Sequence, residues 1–147
     1  MRGCQKNPLL TTCFEDFAAA LRGWAKGLLC LEAAVELLIG HRWWLLRGDF
    51  LDVAVEPGWQ VFTGQAMAAV DFEAAATALE AGVLPCSSSE GQVLRLAASI
   101  AAGVLVDLRE VLTGLDEASS GLAAAAVLHA AGHRDLSAWS AFGGERR

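Results

Sequence analysis

The chain has 147 residues, 54% hydrophobic and 19% charged, with a formal net charge of −6 and only two lysines. That length suits one domain able to bury its own core. The acidic balance argues against generic nucleic-acid binding, which depends on neutralising phosphates with Lys and Arg. The apolar excess is mostly Ala and Leu, and Tyr is absent, so composition favours helix over sheet. No charge-free run reaches the ~20 apolar residues of a membrane span.

At the start of the chain, Cys4-Gln5-Lys6-Asn7-Pro8 breaks the charged-then-apolar layout of a signal peptide. Cys4, Cys13, Cys30 and Cys86 form no CxxC pair. A cytoplasmic protein with reduced thiols is the expectation, with Cys30 a small hydrophobe inside a helix. Thr12 and Glu15 have capping-box spacing, which predicts a first helix over about 13–25, weakened at its end by Gly23 and Gly27. Leu28 to Ile39 follows, apolar almost all round except at Glu32 and Glu36, and closed by Gly40. Such a helix is normally buried, and it is expected to be the centre of the fold.

His41-Arg42-Trp43-Trp44 comes next, then Gly48-Asp49 as turn and N-cap of a helix over Phe50 to Glu56, ended by Pro57-Gly58. Trp59 to Thr63 reads as a loop anchored through Trp59 and Phe62. A helix beginning at Thr63 or Asp71 should end at Gly82. The clearest signal lies at 87–103, where Ser87 and Glu90 form a capping box and Gly103 holds the C-cap position. Val104-Leu105-Val106 connects to a short helix capped by Asp107, broken at Gly114. Asp116 opens a last long helix to about Ala131. Both ends, 1–10 and 143–147, read as frayed. The expected fold is a single all-α domain over 1–147, an irregular bundle of six or seven helices around 28–39.

Motifs that carry chemistry are sparse. Glu32 and Glu36 form an i, i+4 carboxylate pair, which in a helical bundle suits acid–base or metal work. The Glu-x-x-His partner motif is missing, so an ion pair with Arg42, Arg47 or Arg22 is the simpler expectation. His129 and His133 have the spacing of two metal ligands on one helix face. Gly132 interrupts that face, and no acidic residue follows in the HExxH manner, so no metal or cofactor is expected. Residues 94–112 resemble a helix-turn-helix unit in spacing, but the second helix offers Arg109 alone beside Asp107 and Glu110. No nucleophile elbow, Walker or dinucleotide glycine pattern occurs.

Five tryptophans stand out in so small a chain. Adjacent side chains point apart, so Trp43 and Trp44 cannot both enter one core if the segment is regular. Arg42, Trp43, Trp44, Leu46 and Arg47 therefore form the expected contact surface, since aromatic and Arg residues are enriched where partners dock. The functional expectation is a non-enzymatic cytoplasmic protein that binds another protein or forms a homodimer. The alternatives are a DNA-associated regulator using 94–112 and a helical enzyme or metal protein.

Overall fold

A computed structural model of the chain describes residues 13–133. Its elements run α1 (Phe14–Ala25), α2 (Leu29–His41), a 3₁₀ turn (Trp44–Leu46), α3 (Gly48–Ala54), β1 (Val55–Trp59), β2 (Ala66–Val70), α4 (Phe72–Glu80), α5 (Ser88–Ala102), α6 (Leu108–Thr113) and α7 (Glu117–Ala130). The architecture is mostly helical, with one small antiparallel hairpin. Residues 1–12 and 134–147, on which the Thr12 cap, the Cys4 thiol and the expected fraying at 1–10 and 143–147 fall, lie outside the described residues.

α2 holds the centre, as its all-round apolar character predicts. Ala33, Ala34, Val35, Leu37 and Leu38 are buried, and the helix packs on α1, α5 and α7. Each fully buried Leu or Val contributes roughly 1.5–3 kcal/mol of hydrophobic stabilisation. α2 and α7 approach so closely that a Cβ at Gly40 would meet Leu122 Cδ2 at 2.7 Å. Cys30 departs from expectation: it lies on the outer side of α2 and is exposed.

α5 is the second core helix, burying Val93, Leu94, Leu96, Ala97 and Ala98. Its ends match the sequence pattern. Glu90 N–H donates to Ser87 Oγ at 3.3 Å, and Ser87 N–H donates to Glu90 Oε1 at 2.8 Å. Gly103 takes φ 72°, the left-handed conformation that closes the helix without a Cβ penalty. Asp71, Asp107 and Asp116 cap α4, α6 and α7 by accepting from the backbone three residues on.

The hairpin corrects the expectation of a helix over 50–56 followed by a loop. α3 stops at Ala54, and Val55–Trp59 pairs antiparallel with Ala66–Val70, from Val55↔Val70 to Trp59↔Ala66. Pro57 cannot continue a helix. The strand Ala-Met-Ala-Ala-Val has no strand-like composition; it is held extended because β2 packs on α1, burying Ala68 and Val70. No helix among the described residues is long and apolar enough to cross a membrane.

Candidate functional site

The 42–47 segment is a structural joint. Arg42 adopts φ 67°, unusual for a non-glycine residue, and ends α2 by donating its N–H to Leu38 O. The 3₁₀ turn that follows makes the segment irregular, so both tryptophans reach the protein. Trp44 is fully buried, and its indole Nε1 donates to Glu90 O at 2.9 Å. Trp43 is half-buried and meets Trp44 edge to face at 4.9 Å. Arg47 lies over both rings, pairs with Asp49 and donates to Pro85 O. Arg42 sits over the Phe14 ring at 3.8 Å. Of the five residues expected to face a partner, only Arg42 and Leu46 are exposed. Trp44 is core, and Arg47 is tied down on three sides.

Among the described residues the exposed aromatics lie elsewhere. Trp59, Val61 and Phe62 at the hairpin end are 73%, 88% and 92% exposed. Trp59 and Phe62 are not the anchors that the sequence suggested. The loop carrying them is nonetheless ordered by its own hydrogen bonds. Gln60 Oε1 accepts from Phe62 N–H, Thr63 N–H and Thr63 Oγ1 at 2.8–3.1 Å. Gln60 N–H donates to Gln65 O at 2.8 Å, and Gly64, at φ 69°, closes the turn onto Gln60 O.

Polar groups converge at a second place, where α1, α2 and α7 meet. The tight link at 26–28 returns the chain so that Arg22 of α1 clasps Glu36 of α2 bidentately, Nε to Oε2 at 2.7 Å and Nη2 to Oε1 at 3.1 Å. Of the three arginines considered for the carboxylate pair, Arg22 is the one that meets it. Glu32 takes a different role. One oxygen accepts from Gly27 N–H at 2.8 Å, and the other lies 2.9 Å from His129 Nε2 on α7. The side chains of Glu32 and His129 are only 17% and 22% exposed. A cavity of about 310 Å³ opens beside Arg22, Lys26, Glu32, Glu36 and His129 over an apolar floor of Ala25 and Val35. A second of about 310 Å³ adjoins it through Arg22, Glu36 and His129, and is walled by Leu37, Ile39, Leu122 and Ala126.

His133 does not join His129. α7 ends at Ala130, Gly132 turns at φ 95°, and His133 is exposed beyond it. Among the described residues no group of three or more His, Cys, Asp or Glu is placed to hold a metal ion. In the 94–112 unit, five residues separate α5 from α6, and α6 spans only six, with Leu108 and Leu112 exposed beside Arg109.

His41, at the C-terminal end of α2, is the remaining polar group of note. Its Nδ1 is buried with no hydrogen-bond partner among the described residues. Burial pushes its pKa below the ordinary imidazole value, against the pull of Glu90 and Asp116. Comparison of the chain with protein-family models, curated proteins and solved structures finds no match.

Proposed function

We propose that this protein is a non-enzymatic binding module whose hairpin loop inserts into a cleft of another protein in the cytosol. The observation that carries the reading is the exposure of Trp59, Val61 and Phe62 on a loop already ordered by Gln60. Pre-ordering lowers the entropy cost of docking, and clustered aromatics supply most of the energy at protein interfaces. Area favours a different protein over a second copy. Two aromatics at ~150–250 Å² each, plus a valine, amount to roughly 400–600 Å². An obligate homodimer buries about 2,000 Å² or more in total, whereas a transient encounter with another protein runs below about 1,200 Å². Strand addition is disfavoured at β1, because Pro57 has no N–H and Glu56 brings charge to the edge.

Charge narrows the partner. From 48 to 80 the chain carries six acids and no Lys, Arg or His; Asp49 and Glu80 pair with Arg47 and Arg95, which leaves Asp52, Glu56, Asp71 and Glu73 to set the local charge. The cleft that suits this region is apolar with a basic rim.

The test places a photo-crosslinking amino acid at position 62 in the native cells, with the exposed position 120 as control. One dominant adduct with another protein is expected, diminished several-fold by Trp59→Ser and by added salt. Adducts with this chain alone move the reading to a homodimer. Labelling no stronger than at position 120 refutes it.

A further inference from the structure

The groove between α1, α2 and α7 stands apart from the hairpin and has the build of a small-molecule site. Its two adjoining cavities, each about 310 Å³, fall together within the ~300–1,000 Å³ of ligand pockets. One carries charged groups from α1, the link after it and α2, with His129 of α7 beside them. The other is apolar, walled by Leu37, Ile39 and Leu122. We propose that this groove binds a small zwitterion with an aliphatic arm, of which an aliphatic amino acid is the simplest, its ammonium facing Glu36 and Glu32, its carboxylate facing Lys26 and Arg22, and its side chain in the Leu37–Leu122 cavity.

The charge pattern selects the class. Arg22 comes from α1, Lys26 from the link that follows it, and Glu32 and Glu36 from α2, so the first cavity holds two charges of each sign. A simple carboxylate meets Lys26 but also faces two glutamates. A simple amine meets the glutamates but faces Lys26 and Arg22. A zwitterion complements both rows, and mismatched charges disfavour the other two. The groups are also pre-positioned. Arg22 and Glu36 hold each other through two hydrogen bonds while keeping further donors and lone pairs, and Glu32 is fixed by Gly27 N–H and His129. Lys26 is exposed and has no ion-pair partner among the described residues, so its ammonium is available. The arm is placed in the second cavity because its walls are apolar, Leu37, Ile39, Leu122 and Ala126, while Arg22, Glu36 and His129 line its border with the first.

Three probes with one branched tail separate the contributions: L-leucine, 3-methylbutylamine and 4-methylpentanoate. Amide chemical shifts of the full chain are followed during titration. L-leucine is expected to saturate at low millimolar concentration with shifts around Val35 and Ala126, and each analogue to bind at least ~10-fold more weakly, since each lacks a charge-assisted contact. Lys26→Met and Glu36→Gln should each weaken L-leucine about tenfold. Lys26→Met removes a solvent-facing group and should leave the melting curve unchanged, so it decides the matter even if Glu36→Gln unfolds. Absence of saturation by L-leucine overturns the proposal. So does an analogue that binds as tightly as L-leucine, or Lys26→Met with unchanged affinity.

Discussion

Trp44 tests whether the 42–47 segment is a joint or a contact surface. Trp44→Ala removes a side chain that is 0% exposed, packs on Trp43 at 4.9 Å and Phe50 at 5.6 Å, and donates to Glu90 O. Deleting a buried Trp costs ~3–5 kcal/mol, and the two ring contacts and the hydrogen bond put this site at the upper end, about 4–5 kcal/mol. Trp44→Phe keeps a ring but loses the N–H, worth ~0.5–1.5 kcal/mol, and leaves part of the cavity, for roughly 1.5–3 kcal/mol in all. Against a total stability of ~5–15 kcal/mol, the first variant is close to unfolding. At ~2–4 °C per kcal/mol for a domain of this size, its melting midpoint should fall by about 8–20 °C. Urea unfolding followed by circular dichroism provides the free energies, and an unchanged slope shows that the unfolded state is the same. A loss below ~1 kcal/mol for Trp44→Ala would show that the indole is not enclosed. The segment would then have to be reconsidered as the partner-facing surface.

Leu37→Asp should abolish cooperative melting, because an unpaired carboxylate in the centre of α2 costs several kcal/mol. Gly103→Ala should lower stability by about 1–2 kcal/mol in the same urea assay, since φ 72° places its new Cβ against the following carbonyl. Phe62→Asp should leave the melting midpoint within the ~0.5 kcal/mol scatter of surface changes while lowering the cross-linking yield of the Trp59 contact surface, measured from a probe at 61. Stability should also depend on pH through His41. Its folded pKa is depressed, so the unfolded chain binds the proton more readily. The His41 contribution is full above the unfolded value of ~6.5 and declines as pH falls from there toward the lower folded value. Asp49, held low by Arg47, acts in the same direction below ~3.9. His41→Phe should flatten the upper part of this profile, measured by melting between pH 7.5 and about 5.

The elements that were legible are those with local punctuation. The caps at Asp71, Ser87, Asp107 and Asp116 each bond to a backbone group three residues away, so a short window of sequence contains the whole interaction. α2 was legible because no arrangement other than burial suits Val35, Leu37 and Leu38 with Ala on the other sides. The hairpin was not. Ala66–Val70 is built from helix formers, and only its packing on α1, some forty residues earlier, makes it a strand. Trp43-Trp44 misled for a related reason. Neighbouring side chains point apart only on regular backbone, and Arg42 at φ 67° with the 3₁₀ turn breaks that regularity.

The same distinction separates the two candidate sites. Glu32 and Glu36 announce themselves because a carboxylate in an apolar helix needs a partner, and the residue type alone poses the question. The answer is nonlocal for Glu32, whose His129 contact spans 97 positions. Trp59, Val61 and Phe62 pose no such question. A large apolar residue reads the same whether it fills a core or stands in water, since the hydrophobic effect has no direction and no pairing rule. What distinguishes the tip is Gln60, a polar side chain whose one oxygen satisfies the donors of Phe62 and Thr63. A loop so supplied with internal partners does not need the domain core to hold its shape. Its apolar side chains are therefore free to face outward, and their exposure is a property of the loop's own sequence and not of failed packing.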